Sequence, residues 1–130
     1  MTFNIGLVVN PLAGLGGSVA LKGSDNVAQE ALALGAVPKA NVRCMQALTE
    51  LAGLDVCIYA FSGDMGADCG LAAGITTKVI GEAKTQPSRA TDTMLAAQAL
   101  LKKGVDLLVF VGVFSYVSLA GELIFTKCLK

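Results

Sequence analysis

The sequence predicts an α/β fold: a three-layer α/β/α domain on a mostly parallel, Rossmann-like sheet of about four or five strands. Short β-branched apolar runs alternate with segments of helical periodicity, which is typical of βαβ units whose sheet is covered on both faces. The 130 residues suffice for one ordinary domain. Hydrophobic residues make up 54% of the chain and charged residues 15%, which excludes a disordered chain.

The first half is expected to begin with a buried strand. The apolar run FNIGLVV is ended by Asn10-Pro11, a turn signal, and Gly35 follows the end of the first helical pattern. Later apolar residues recur at helical spacing. The predicted elements are strand Phe3–Val9, a helix from Ser24 or Asp25 to about Leu34, a helix from near Pro38 with Val42, Met45, Leu48 and Leu51 on one stripe, and strand Val56–Phe61.

The second half continues the alternation. Its strongest helical pattern places Met94, Ala97 and Leu101 on one face. The predicted elements are a short helix Gly66–Ala73, strand Thr77–Ile80, helix Ala90–Lys103 and strand Asp106–Val111. The run from Leu107 to Phe125 is apolar and nearly long enough for a membrane helix, but glycines and serines interrupt it. We therefore expect no membrane association.

Charge and residue content exclude several function classes. Ten basic and ten acidic residues balance, so the chain offers no basic excess for binding nucleic acid. Histidine is absent, which excludes an imidazole base, a His-dependent nucleophile and a His-ligated zinc ion. The four cysteines form no C-x-x-C pair, so we expect no metal site, and Cys57 is interpreted as a core thiol. The N-terminus lacks a basic signal region, and a reduced, cytoplasmic protein is expected.

Glycine-rich segments follow three of the predicted strands. They are Asn10–Gly17, Ser62–Gly66 and the stretch from Gly81 onward. Ligands of parallel sheets bind beyond the carboxyl ends of the strands, and glycines let backbone N–H groups approach an anion. The first segment is therefore a candidate phosphate site, with a plain flexible turn as the alternative. Lys22 could add a cation or be a solvated surface lysine. The segment matches neither a Walker A loop nor G-x-G-x-x-G.

These segments also carry a family resemblance. Asn10-Pro11-Leu12-Ala13-Gly14-Leu15-Gly16-Gly17, followed by Leu21-Lys22-Gly23-Ser24-Asp25, resembles the N-terminal end of the ATP-NAD kinase-like proteins, relatives of the NAD, diacylglycerol and sphingosine kinases. Further segments that resemble the family are Gly35-Ala36-Val37-Pro38, Gly63-Asp64-Met65-Gly66, Val79-Ile80-Gly81-Glu82 and Ala90-Thr91-Asp92-Thr93. The resemblance covers about residues 3–112.

The resemblance implies a kinase that uses ATP and Mg²⁺ to phosphorylate NAD to NADP, at a nucleotide site shared with a second, β-rich domain. The residues it assigns to nucleotide or phosphate binding are Asn10, Pro11, Ala13, Gly14, Gly16, Gly17, Lys22, Gly63, Asp64, Thr91, Asp92 and Thr93. For Asp92, a helix-capping role is the alternative. Asp64 and Asp68 lie one helical turn apart and could bind a cation, although a solvated loop face explains them as well.

The sequence departs from the family after residue 112. Where the family has Gly-Gly-Asp-Gly-Thr, this chain has Gly112-Val113-Phe114-Ser115-Tyr116, and the second domain does not follow. We therefore divide the chain into a kinase-like domain, 1–112, and an apolar non-family tail, 113–130. A frameshift would produce this pattern; a cloning artefact, a natural pseudogene and a genuine short protein are alternatives.

Three functions follow from these observations. The first is a truncated ATP-NAD kinase-like protein without catalytic residues, which we expect to be inactive. The second is a non-catalytic nucleotide-binding or assembly module. The third is a family kinase whose acceptor is a lipid or another small hydroxyl compound. Because a missing partner domain exposes apolar surface and the tail adds more, we also expect the chain to form a homo-oligomer.

Overall fold

The computed structural model describes residues 1–12, 33–35, 37–85, 90–112, 118–119 and 122–123. Strands and helices alternate within them in the predicted order. They are β1 (Phe3–Val9), α1 (Ala40–Leu48), β2 (Val56–Phe61), α2 (Ala67–Ala72), β3 (Thr76–Gly81), α3 (Ala90–Lys103) and β4 (Leu107–Val111). Short 3₁₀ helices, Thr49–Leu51 and Gly63–Met65, follow α1 and precede α2. The helix predicted to end at about Leu34 lies largely outside the described residues.

The central sheet has the strand order β3-β2-β1-β4, and its three pairings are all parallel. Ile5 on β1 is level with Ile58 on β2 and with Leu107 on β4. The predicted parallel α/β sheet is thus confirmed, with four strands. In the tail, β5 (Ser118–Leu119) pairs antiparallel with β6 (Glu122–Leu123).

Helices cover both faces of the sheet. On one face, alternate residues of β1 pack with α1 and α2 in a core that includes Leu7 and Cys44. On the other face, Val8 packs with Ala97 and Leu100 of α3. Because consecutive strand side chains point to opposite faces, β1 contributes to both cores. The three-layer arrangement predicted from the sequence is confirmed.

The buried faces of α1 and α3 differ from those predicted. On α1 the buried residues are Ala40, Cys44 and Leu48, whereas Val42 is 53% exposed. On α3, Ala96, Ala97 and Leu100 are buried, whereas Met94 is 45% exposed and Leu101 also lies on the surface. The predicted stripes were therefore right at Leu48 and Ala97 and wrong at Val42, Met94 and Leu101. Small side chains at Ala40, Ala96 and Ala97 let the helix backbones approach the sheet closely, and Leu48 and Leu100 are buried with them.

Gly6 shows how closely α3 packs on the sheet. A Cβ atom at this position would lie 3.0 Å from the side chains of Leu108 and Val105 and 3.2 Å from that of Leu100. The ends of α3 suit its dipole, with Asp92 in the first turn and Lys102 and Lys103 in the last.

Within the part of the chain that the structure describes, every helix falls short of the length and apolarity needed to cross a bilayer. Apolar side chains do lie exposed on the outer side of α3, at Met94, Leu95 and Leu101. The expected self-association stays a prediction, as does the division of the chain at residue 112.

A substitution at Gly66 tests the close packing between β1 and α2. The φ of Gly66 is +145°, and an added Cβ would lie 3.0 Å from the Ala60 Cβ and 3.1 Å from the Leu7 carbonyl oxygen. Gly66→Ala therefore combines backbone strain with a clash, and we expect it to lower the free energy of unfolding by about 2–5 kcal/mol. Urea unfolding measures the change.

Gly74→Ala is the matched control for Gly66→Ala. Its φ is also positive, at +78°, but nothing lies within 4 Å of an added Cβ. Gly74→Ala should therefore lower the free energy of unfolding only through backbone strain, by about 1–2 kcal/mol. Equal losses in the two variants would contradict the packing described at Gly66.

Candidate functional site

The order of the strands reverses beside β1. The chain proceeds from β1 to β2 and β3 on one side, and then crosses to β4 on the other side. In open parallel sheets, ligands bind outside the carboxyl ends of the strands where the order reverses, because the connecting segments diverge there and leave a crevice. The candidate site therefore lies at the carboxyl ends of β1 and β4.

Asn10 turns the chain at this point. Its backbone N–H donates to the Val111 carbonyl at 2.9 Å, which ties the end of β1 to the end of β4. Its side-chain Oδ1 accepts the Leu12 N–H at 3.1 Å, an Asx turn that encloses Pro11. Gly112, the next residue after β4, is buried with φ +147°. The end of β1 is thus followed by a side-chain-capped turn, and the end of β4 by a residue whose conformation favours glycine.

The end of β2 carries Gly63 and Asp64 at the same edge of the sheet. The Ser62 N–H donates to the Gly81 carbonyl at 2.8 Å, which joins the ends of β2 and β3. Gly63 has φ +67° and begins the 3₁₀ helix, and the Asp64 side chain is exposed. The Asp64 carbonyl accepts a hydrogen bond from Asn41 Nδ2 at 3.0 Å, so α1 holds the backbone of this loop.

Asp92 is held inside the protein rather than exposed at the edge. Its side chain is 1% exposed, and its Oδ1 accepts the Lys84 N–H at 2.8 Å while its Oδ2 accepts the Thr85 hydroxyl. Thr93 is also buried, and Thr91 is exposed. The carboxylate therefore fastens the segment after β3 to the first turn of α3. This is a structural role whose donors lie in the segment before α3, and the helix-capping and nucleotide-binding interpretations of Asp92 both stay predictions.

The other predicted phosphate residues are Ala13, Gly14, Gly16, Gly17 and Lys22, which lie outside the described residues. Their assignment stays a prediction. The structure brings Asn10 with Pro11, Gly63 with Asp64, and the segment fastened by Asp92 to one edge of the sheet, because each follows the carboxyl end of a parallel strand.

Asp64 and Asp68 also border a cavity of about 300 Å³ between α1 and α2. Both carboxylates are exposed. Its lining is completed by Asn41, Val42, Met45, Cys69 and Ala72. Among the described residues, no three histidine, cysteine or carboxylate side chains gather as a metal site would require. The solvated and cation-binding interpretations of this acidic pair both remain.

Asn41 is a residue that the sequence did not single out. Its Nδ2 donates to the Asp64 carbonyl, and its Oδ1 accepts the Cys69 thiol at 2.8 Å. One amide thus joins the loop after β2 to α2. Its only sequence signal is a polar residue in the first turn of a predicted helix, which is too common to identify a role.

Tyr59 is partly buried and packs against the core on the α3 side of the sheet. The Lys78 and Lys103 ammonium groups lie 5.7 and 5.3 Å from the centre of its ring. The ring therefore packs at the margin of the core below α3, where its face is available to cations. Tyr116, the other tyrosine, lies outside the described residues.

Comparisons with protein-family models, with curated proteins and with solved structures find no match to this chain.

Asp92→Ala tests the fastening of the segment after β3. The variant leaves the Lys84 N–H and the Thr85 hydroxyl without this acceptor. We therefore expect the free energy of unfolding to fall by about 1–3 kcal/mol. Amide hydrogen exchange at Lys84 should accelerate.

Asp106→Ala provides the comparison for Asp92→Ala. Asp106 also accepts a backbone N–H, that of Asn4 at 2.8 Å, but its bond is exposed to water. Asp106→Ala should lower the free energy of unfolding by less than Asp92→Ala does. It should also leave amide hydrogen exchange at Lys84 unchanged. Unchanged exchange at Lys84 in Asp92→Ala would refute the fastening role.

Proposed function

We propose that this chain binds the phosphates of a nucleotide at the carboxyl edge of its sheet, as the nucleotide-binding α/β domain of an ATP-NAD kinase-like protein. The observation that carries the proposal is the reversal of strand order beside Asn10. The Gly-rich segment begins at this reversal, so the position expected for a ligand from topology coincides with the segment that the motif resemblance assigns to phosphates.

The chemistry of this edge supports an anionic ligand. Asp92 is occupied by Lys84 and Thr85, so its carboxylate is directed at the chain's own donors. The segment after Leu12 contains three glycines, Gly14, Gly16 and Gly17, and a glycine has no side chain of its own to hinder an approaching anion. Such groups bind phosphate oxygens without a Walker A lysine.

The donor set is compatible with Mg²⁺ that arrives with ATP. Magnesium keeps several waters and is commonly held by one or two carboxylates together with substrate phosphates. Asp64 is an exposed carboxylate at this edge and could serve as one such ligand. When bound, Mg²⁺ would neutralise charge on the phosphates, and Asn10 and the glycine segment would orient them.

The proposed activity of this chain is binding without catalysis. Val113 and Phe114 stand where the resemblance expects Gly and Asp, so apolar side chains replace a phosphate-binding turn and its acidic residue. NAD phosphorylation is the reaction implied by the family and is not expected from this polypeptide. A site at the open edge of the sheet should also bind nucleotide weakly, because it buries little of the ligand.

Calorimetric titration with ATP and Mg²⁺ tests the binding site. Gly16→Val combined with Gly17→Val should weaken binding by about tenfold or more, since the side chains block N–H groups that donate to a charged phosphate. The measured quantity is the change in Kd between the two chains.

Gly53→Ala is the control for this titration. Gly53 precedes β2 at the opposite edge of the sheet, and nothing lies within 4 Å of an added Cβ. Its Kd should match that of the unchanged chain. Unaltered affinity in the Gly16/Gly17 variant would place the nucleotide elsewhere and refute the proposed site.

A coupled assay for NADP tests the absence of catalysis. We expect no turnover of NAD with ATP and Mg²⁺, because the loss of one well-placed donor costs roughly 10²–10³ in rate and this chain lacks the whole motif. Turnover that follows the purified chain and disappears in Asp64→Asn would reveal a substitute catalytic group.

A further inference from the structure

Two buried cysteines meet at the interface of α1 and α2. Cys44 is 3% and Cys69 is 2% exposed, and both belong to the same core. The Cys69 sulfur lies 3.4 Å from the Asn41 carbonyl oxygen and 2.8 Å from Asn41 Oδ1. Because Cys44 is three residues after Asn41, it lies on the same side of α1, facing α2.

The two thiols also interact with each other. A hydrogen bond to Cys44, together with burial, raises the pKa of Cys69 far above its usual range. The same hydrogen bond lowers the pKa of Cys44. The proton therefore stays on Cys69, and Cys44 is the thiol that more readily becomes a nucleophilic thiolate.

We propose that Cys44 and Cys69 form a modification site, a thiol pair that closes to a disulfide between α1 and α2 by exchange with a low-molecular-weight disulfide such as glutathione disulfide. The Cys44 thiolate attacks one sulfur of the small disulfide, whose S–S bond breaks and releases one thiolate. Cys69 then loses its proton to water and attacks the Cys44 sulfur, expelling the second thiolate. Two cysteine thiols are oxidised, and one disulfide is reduced to two thiols.

Access to the pair depends on opening of α2. This helix has only six residues, contains Gly70 and follows Gly66, so it has little helical stability of its own. The cavity of about 300 Å³ between α1 and α2 borders Cys69 directly. Local opening of such short elements costs less than global unfolding, so exchange proceeds in the folded population.

Formation of the disulfide would affect the loop after β2 through the hydrogen bonds of Asn41. While Cys44 keeps its own proton, reduced Cys69 donates its S–H to Asn41 Oδ1, and Asn41 Nδ2 donates to the Asp64 carbonyl. The disulfide has no S–H, so Asn41 Oδ1 loses this donor and the amide is free to reorient. The bond that fixes Asp64 at the carboxyl edge is thereby weakened.

The test uses the full chain with Cys57→Ala and Cys128→Ala, so that only the proposed pair remains. The folded protein is incubated with glutathione disulfide, and remaining thiols are alkylated in denaturant. We expect intact mass spectrometry to show the loss of two hydrogen atoms, reversed by dithiothreitol. Trypsin leaves 44–78 as one peptide, so a Glu-specific protease that cleaves after Glu50 is needed to separate Cys44 from Cys69.

Single variants distinguish the order of the steps. Cys69→Ala should stop at a glutathione adduct on Cys44, and Cys44→Ala should react at least tenfold more slowly. Circular dichroism verifies that each variant is folded, and the wild-type chain, mapped after additional cleavage at Asp64, repeats the experiment without the background substitutions. The proposal is overturned if glutathione adducts accumulate on both cysteines without a link, if neither reacts, or if the link forms only in urea.

Discussion

Burial of β1 on all sides is the constraint on which the other features depend. Leu7, Val8 and Val9 have no exposed surface, and the strand pairs with β2 on one edge and β4 on the other. A central strand of this kind must leave its apolar surroundings at its carboxyl end. Asn10 makes that exit possible, because its side chain and backbone satisfy groups that the sheet no longer pairs. The candidate site therefore lies where the buried central strand leaves the core.

The strand pattern is readable in the sequence, but the contacts of the helices are not. Runs such as FNIGLVV and VCIYAF are typical of strands in a parallel sheet covered on both faces, and the structure places both as strands. Helix faces were harder to predict because apolar residues surround α3. Whether Met94 is buried together with Ala97 depends on how α3 lies on the sheet, which Gly6 influences from a different element. Such pairwise packing has no local sequence signature.

Some features of the candidate site can likewise be predicted from the sequence, and others cannot. The carboxyl-edge position of Asn10, Gly63 and the segment after β3 follows from parallel topology alone. The acceptor role of Asp92 does not, because its donors are a backbone N–H and a hydroxyl eight and seven residues earlier in the chain. Likewise, Asn41 gains its importance from Asp64 and Cys69, which are distant in sequence and adjacent only in the fold.

The position of Tyr59 has a spectroscopic consequence. The chain contains two tyrosines and no tryptophan, and the Tyr59 ring lies near the ammonium groups of Lys78 on β3 and Lys103 on α3. Its ultraviolet absorption and emission depend on the charge and solvent around the ring. Separation of the last turn of α3 from the sheet would remove one of these cations and admit water. Tyr59 is therefore a built-in optical reporter of docking between α3 and the sheet, and it requires no added label.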